Sequence, residues 1–506
     1  MSERRKALAV LTLNTAAFAV CFAAWMMNGV LVTFLVDNGL FEWSKVQIGW
    51  LIGIPVLTGS LTRLPIGILT DKYGGRIVYT LLMLLSAVPM WLVSYANNYS
   101  EFLLAGLGFG LTGASFAVGI AYTSIWFKKE HQGTALGVFG VGNTGAGATA
   151  MAAPSVLKWL TSGDAGLEGW RNLPRLYAGL LVVMAVVFWF FTYSRKVESE
   201  KAMTLRQRLA PLRTMRVWRF GLYYFFVFGG FVALSQWLIP YYVNVYAMSV
   251  VTAGLMASLF SLPSGIIRAV GGWMSDRWGA RAVMYWILAV SILSCALLTV
   301  PRMDIQAPGQ GIMAPASGTV TSVSAGRIEL RGKSFSLRNR PENSVGLTND
   351  PHTLILPHFE FWQEPVVQEG QEVRKKELLA RGVTHIYFQA NVWIFSGLVF
   401  LLAMAMGVGM AAVYKHIPDY FPRDVGVVGG IVGVLGGLGG FFGPIIFGYL
   451  LQWTGIWTTN WMFFLVLAGV CLVWMHVVVR GIMKKKAPGL LRDIEHLSSI
   501  PAEGGS

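Results

Sequence analysis

Arg63-Leu-Pro-Ile-Gly-Ile-Leu-Thr-Asp71-Lys-Tyr-Gly-Gly-Arg76 recurs without a gap as Arg268-Ala-Val-Gly-Gly-Trp-Met-Ser-Asp276-Arg-Trp-Gly-Ala-Arg281. The register keeps Gly67 against Gly272, Gly74 against Gly279, and a basic residue after each aspartate. A second pair of stretches carries the repeat onward: Trp126-Phe127-Lys128-Lys129-Glu130 matches Tyr420-Phe421-Pro422-Arg423-Asp424, and Gly142-Asn143-Thr144-Gly145 matches Gly436-Gly437-Leu438-Gly439. The later pairs are set further apart than the first by the length of residues 301–389. The chain therefore reads as two units in the same order, with an insertion in the second.

The sequence around these repeats is written for lipid. Its 506 residues are 55% hydrophobic and 13% charged, with a mean hydropathy of +0.56, too apolar for a soluble multidomain enzyme. Twelve apolar runs follow one another, near residues 8–36, 46–70, 77–96, 101–127, 133–156, 174–194, 217–246, 251–274, 281–300, 389–413, 425–451 and 459–482. Each is long enough to cross a hydrocarbon core of roughly 30 Å as a helix. The first is too long for a cleaved leader.

Lys and Arg crowd the loops on one side of this count, among them Arg4, Arg5, Lys6, Lys72, Arg76, Lys128, Lys129, Arg195, Arg277, Arg281, Lys415, Arg423 and Lys484 to Lys486, while the other side carries chiefly Lys45, Lys158 and Arg171. Positive residues stay inside, so both termini are expected in the cytoplasm of a bacterial inner membrane. The net charge of +15 is then a topology signal and not a nucleic-acid footprint. Cys21, Cys295 and Cys471 all fall within spans and imply no disulfide framework.

The expected architecture is an all-α membrane protein of two six-helix lobes: residues 1–195, a cytoplasmic linker at 196–216, then 217–300 with 390–482, and a cytoplasmic tail at 483–506. Residues 301–389 alternate polar and apolar residues with Gly and Pro punctuation, which predicts a small all-β module between helices nine and ten, on the periplasmic side. Its opening Met313-Ala-Pro-Ala-Ser-Gly-Thr-Val320 and closing Val367-Gln-Glu-Gly-Gln-Glu-Val-Arg-Lys-Lys-Glu-Leu-Leu379 resemble the two half-motifs of biotinyl/lipoyl-type barrel-sandwich domains. Lys333, Lys375 and Lys376 lack the flanking methionines of a biotin-carrying lysine, so the module is expected to be a structural or docking cap, open to a periplasmic partner. His352 and His358, with no cysteine nearby, read as surface residues and not as a metal site.

Arg63 sits deep in helix two and Arg268 at the matching place in helix eight, while no Asp or Glu falls in the middle of any run. A buried arginine costs roughly 2.5 to 3.5 kcal/mol on insertion scales, so two symmetric ones need a reason. The plain one is that each holds helix carbonyls or aromatic faces. The other is an anion between them, and a planar guanidinium matches a planar oxyanion with paired donors. Asp71, Arg76, Asp276 and Arg281 belong to the loops after helices two and eight, where they read as gate residues. No nucleophile, metal cluster or phosphate loop supports an enzyme, and no cofactor is implied.

Helix five carries Gly133-Thr-Ala-Leu-Gly-Val-Phe-Gly-Val-Gly-Asn-Thr-Gly-Ala-Gly147, and helix eleven carries Gly426-Val-Val-Gly-Gly-Ile-Val-Gly-Val-Leu-Gly-Gly-Leu-Gly-Gly440. These paired runs, with Tyr414-Lys-His-Ile-Pro-Asp-Tyr-Phe-Pro-Arg423, resemble the signatures of the nitrate/nitrite porter family of the major facilitator superfamily across every span, failing only over the insertion. The resemblance implies signature glycines at Gly140, Gly142, Gly145, Gly433, Gly436 and Gly437. It implies substrate contacts from Arg63, Arg268, Tyr224 and Asn143, with Phe22, Phe116 and Phe228 sandwiching a flat anion; Met26, Met27 and Asn28 leave the cavity face of helix one unassigned. The implied function is nitrate and nitrite transport by alternating access.

A monovalent anion entering against an inside-negative potential is opposed by about 2.3 kcal/mol per 100 mV. One-for-one nitrate/nitrite antiport removes that charge movement and needs no core carboxylate. Proton symport through Lys415 or His416 is the alternative, as are transport of another small anion such as formate or a short dicarboxylate, and a sensor whose spans only anchor the module.

Overall fold

The computed structural model describes residues 3–127, 129–195, 210–300, 303–324, 326–341, 358–421 and 425–486. Lys128, His352, Pro422, Arg423 and Asp424 lie outside the described residues, as do residues 196–209 of the expected linker and 487–506 of the tail. The chain divides into a helical unit and a unit of Val245–Ala247 with Val300–Gly397.

The helical unit holds α1 (Glu3–Asp37), α2 (Lys45–Tyr73), α3 (Gly75–Tyr95), α4 (Tyr99–Ser124), α5 (Lys129–Gly140 and Gly145–Leu160, joined by a 3-10 turn at Val141–Thr144) and α6 (Gly166–Phe191). After the linker come α7 (Met215–Tyr246), α8 (Val250–Trp278), α9 (Ala280–Leu298), α10 (Val392–Tyr420), α11 (Val425–Thr454) and α12 (Thr459–Lys486). Among the described residues eleven helices are long and apolar enough to cross a membrane. The one falling short of the twelve expected runs is α5, because its glycines dilute its apolarity. Large apolar side chains cover the outside: Phe190 and Trp286 are each 71% exposed, an arrangement that water would oppose and lipid accepts.

The internal repeat reappears as geometry. Ser44 and Ser249, at matching positions, cap α2 and α8: each hydroxyl accepts a hydrogen bond from the amide three residues on, Gln47 and Thr252, at 3.2 Å. At the far ends Gly74 and Gly279 stop the same helices with φ of 88° and 82°, left-handed values that glycine adopts without strain. Crossings match as well. A methyl on Gly59 would come within 2.9 Å of the Gly113 Cα, and one on Gly407 within 2.5 Å of the Ser264 carbonyl, so small residues set the approach of α2 to α4 and of α8 to α10.

Glycines also record how the two halves meet. Toward one end, Gly49 and Gly448 pack against the carbonyls of Pro444 and Lys45 across α2 and α11, and Gly254 packs against that of Ala150 across α8 and α5, with 2.6 Å or less for an added Cβ. Toward the other end of the same four helices, Gly67, Gly137, Gly272 and Gly430 meet nothing within 4 Å. The halves meet closely at the first end, and at the second these four glycines face open space.

The second unit contains β1 (Met303–Met313), β2 (Gly318–Ser324), β3 (Arg327–Leu330), β4 (Lys333–Ser336), β5 (His358–Pro365), β6 (Glu372–Val373) and β7 (Leu378–Phe388). They form two antiparallel sheets, ordered β1-β7-β5 and β4-β3-β2-β6. Val320, Ile328, Leu330, Val373 and Leu379 fill its core. The two half-motifs come together: the Val320 amide donates to the Gln371 carbonyl at 2.9 Å and the Lys376 amide to the Ala314 carbonyl at 2.8 Å. Lys333 opens β4 after a tight turn through Arg331 and Gly332, and His358 opens β5. This unit reaches past residue 389 because the Gln389 amide donates to the Val245 carbonyl and the Tyr246 ring packs on Phe395.

Candidate functional site

Three helices leave the α-helical path at the same level of the helical unit. Helix α4 tightens to a 3-10 turn at Gly110–Ala114, α5 does so at Val141–Thr144, and α7 widens to a π-turn at Phe225–Gly229. Such breaks loosen the backbone hydrogen-bond ladder, frequently at functional sites. Here the first offers a carbonyl, the second carries Asn143, and the third follows Tyr224.

Arg63, 3% exposed, occupies the gap between them. Its Nε donates to the freed Gly113 carbonyl at 3.3 Å, and one terminal nitrogen donates to the Gly433 carbonyl of the other half at 2.7 Å. Its guanidinium carbon stands 5.1 Å from the Phe228 ring centre, 5.2 Å from that of Phe116 and 5.8 Å from that of Trp25. The remaining terminal nitrogen is buried without a hydrogen-bond partner. Arg63 thus ties the halves together and keeps donors to spare.

Arg268 approaches Phe116 with its guanidinium carbon 5.5 Å from the ring centre. One of its terminal nitrogens is also buried with no partner. Its room comes from α5: a Cβ on Gly140 would stand 3.5 Å from its Nε. The same relation holds opposite, where a Cβ on Gly437 of α11 would stand 3.5 Å from Arg63. Each glycine run therefore admits the arginine of the opposite half.

Phe228 stacks on Tyr224 at 5.0 Å and 4°, and on Phe116 at 6.2 Å and 24°. The Tyr224 hydroxyl makes no hydrogen bond of ordinary geometry, and neither polar atom of the buried Asn143 side chain has one. Among the described residues the helical unit buries no carboxylate. Unpartnered polar atoms on Arg63, Arg268 and Tyr224 thus gather around the Phe116 and Phe228 rings, a donor set of the kind that suits a small planar anion.

Phe22 stands apart. It stacks on Phe231 at 6.3 Å and meets Trp25 edge-on, while Phe18, one turn earlier, packs against Phe116 and Phe139. Met26 and Met27 are buried, and Asn28 donates to the Leu51 carbonyl within its own half. Tyr414 is a member that the sequence reading did not place: it meets Tyr224 edge-on at 5.0 Å, and its hydroxyl donates to the Gly429 carbonyl. No spacing signal marked it, since it reaches the site from α10 only through the fold.

Of the gate residues, Arg76 donates to the Trp189 carbonyl, Asp276 pairs with Lys415, and Arg281 donates to the Tyr420 hydroxyl at 2.8 Å. Each of these contacts stays within one half. His416 is buried, and its Nδ1 lies 2.8 Å from the Ala412 carbonyl.

The signature glycines set ring positions. A Cβ at 436 would come within 2.1 Å of the Tyr224 ring, and one at 142 within 2.4 Å of Phe18. Gly436→Ala is expected to displace Tyr224, cost about 1 to 3 kcal/mol of stability and depress transport at least tenfold; uptake in liposomes, with melting of the purified variant, checks both. Asn143→Ala is expected to weaken anion affinity severalfold with an unchanged melting temperature, because no partner is lost on removing the amide. Wild-type affinity in that variant would leave Asn143 a packing residue.

Comparison with known proteins gives a consistent answer. A family model described as Major Facilitator Superfamily matches residues 13–339 and 378–499. The chain is 40% identical over 498 residues to a probable nitrate/nitrite antiporter, NarK1, of Thermus thermophilus, covering 97% of this chain and 96% of the relative. It is 25% identical over 469 residues to the nitrite extrusion protein of Bacillus subtilis, covering 92% and 94%. In fold it resembles the crystal structure of a bacterial homolog of the human lysosomal transporter Spinster, in an inward-facing and occupied conformation, with a TM-score of 0.60 at 14% identity, covering 93% of this chain and 96% of that one.

Proposed function

The chain belongs to the major facilitator superfamily, and from that premise we propose that it is a nitrate and nitrite transporter, exchanging one anion for the other by alternating access between its two halves. The observation that carries this reading is the arginine pair: two cations at repeat-related positions, each with an unpartnered buried nitrogen and, among the described residues of the helical unit, no buried carboxylate. The names of the Thermus and Bacillus relatives support the same cargo. Arg63 and Arg268 hold the anion, Tyr224 and Asn143 add hydrogen bonds, and Phe116 and Phe228 close on its faces. Phe22 acts one layer away, through Phe231.

The signature glycines let the opposite arginine reach the axis. Arg76, Asp276 and Arg281 brace helix ends within their halves, and the exchange of partners among these residues and Asp71 accompanies rocking. The basic loops favour both termini in the cytoplasm of a bacterial inner membrane, which puts residues 301–389 in the periplasm, as a barrel-sandwich cap able to meet a partner there.

The test is counterflow in proteoliposomes. Internal nitrite is expected to drive labelled nitrate uptake, with unlabelled nitrate and nitrite competing and formate or short dicarboxylates competing at least tenfold less well. Stronger competition by formate would overturn the cargo assignment. Deleting residues 301–389 with a short linker is expected to leave counterflow measurable; its loss in a correctly folded variant would give the module a part in transport.

A further inference from the structure

Two buried carboxamides lie between the arginine cluster and the end where the halves meet closely. Along α7 the order is Phe228, Phe231, Gln236 and then Asn244, whose Oδ1 accepts a hydrogen bond from the Lys45 Nζ of α2 at 3.4 Å. Lys45 belongs to the closely packed end, since Gly448 packs against its carbonyl. Along α1 the matching order is Phe22, then Asn28 and Gly29. The two orders are registered across the halves: Phe22 stacks on Phe231 at 6.3 Å, and a Cβ on Gly29 would stand 2.8 Å from the Gln236 Cβ. At the rise of an α-helix Gln236 is about 12 Å beyond Phe228.

Gln236 is 1% exposed, and neither its Oε1 nor its Nε2 has a hydrogen-bond partner. Asn28, also 1% exposed, donates its Nδ2 to the Leu51 carbonyl at 3.0 Å and leaves its Oδ1 without a partner. A buried amide that makes no bond is destabilising, and an apolar side chain of similar shape would not be. These amides sit where the halves touch. Alternating access parts the halves at this end in one stage of its cycle, and the same amides then line the opening. Farther out Lys45, whose ammonium also stands 5.3 Å from the Trp457 ring centre, gives the mouth a positive charge.

We propose that Gln236 is a second contact for the transported oxyanion, a station between Lys45 and the arginine pair at which its Nε2 donates to an anion oxygen while the halves are parted at this end. A neutral amide suits a station on a route. A cation there would hold the anion, and an apolar residue would offer its oxygens nothing in place of water, whereas passage needs binding that is favourable and weak. The Phe22–Phe231 stack separates the two stations, so the anion passes it between Gln236 and the arginines. The inference rests on the anion-transport reading above and extends it to the route by which the anion arrives.

Two measurements on the full-length protein test it, in right-side-out membrane vesicles that present this end to the medium on the topology above. A membrane-impermeant, charged methanethiosulfonate is expected to modify Gln236→Cys, and saturating nitrate to slow that reaction severalfold; wild type, whose Cys21, Cys295 and Cys471 are all buried, should stay unmodified. In Gln236→Leu the KM for labelled nitrate entering at this face is expected to rise about fivefold, the worth of one neutral hydrogen bond. Inverted vesicles should show a far smaller rise at the opposite face, and the melting temperature should equal or exceed that of wild type. An amide that only packs the helices would change both faces alike. No modification at position 236, or no difference between the faces in folded Gln236→Leu, overturns the inference alone. Wild-type vesicles that exchange no nitrate would overturn the transport reading and this inference together.

Discussion

Arg268→Lys reduces nitrate affinity by roughly ten- to a hundredfold and leaves the protein as stable as wild type. Among the described residues the Arg268 guanidinium makes no hydrogen bond and one buried terminal nitrogen has no partner, so on the proposed reading its replacement takes away anion contacts and, of internal ones, the approach to the Phe116 ring. A charge-assisted hydrogen bond is worth about 1.5 to 3 kcal/mol, and lysine keeps the charge while losing the fork. Arg63→Lys behaves differently. It breaks the bonds to the Gly113 and Gly433 carbonyls as well, so transport is nearly abolished and the melting temperature falls. Nitrate binding and melting of the two purified variants, side by side, separate the roles. Equal affinity in Arg268→Lys and wild type would show that the cationic pair is structural.

Exchange outruns net flux at least about tenfold. Both guanidinium carbons lie close to the same ring, 5.2 and 5.5 Å from the centre of Phe116, which bounds their separation at roughly 11 Å. At that distance and an effective dielectric near 20, like charges repel by roughly 1.5 kcal/mol, enough for a tenfold slower step. An anion between them cancels the repulsion, so the loaded transporter reorients faster than the empty one. Liposomes preloaded with nitrite should take up labelled nitrate that much faster than empty ones, and collapse of a pH gradient should change neither rate. Equal uptake by empty liposomes under an imposed proton gradient would favour symport, with Lys415, which pairs with Asp276, or the buried His416 as its carrier.

The repeat, the apolar runs and the glycine runs were legible in the sequence because each is a local, periodic property: hydropathy needs only composition over twenty residues, and duplication needs only a register. Arg63 and Arg268 could be singled out on the same basis, as cations in runs without carboxylates. The twelfth run was legible only as a pattern, since the glycines that make α5 useful also lower its apolarity. What the tertiary structure decided is which groups meet. That Arg63 spends two donors on carbonyls while, among the described residues, Arg268 spends none, that Phe18 packs on Phe116 while Phe22 stacks on Phe231, and that Tyr414 reaches Tyr224 from α10 are all set by the crossing of helices far apart in the chain. A 3-10 or π-turn has no composition of its own, so the breaks that free Gly113 and place Asn143 and Tyr224 emerge only when neighbouring helices supply the contacts that replace the lost backbone bonds.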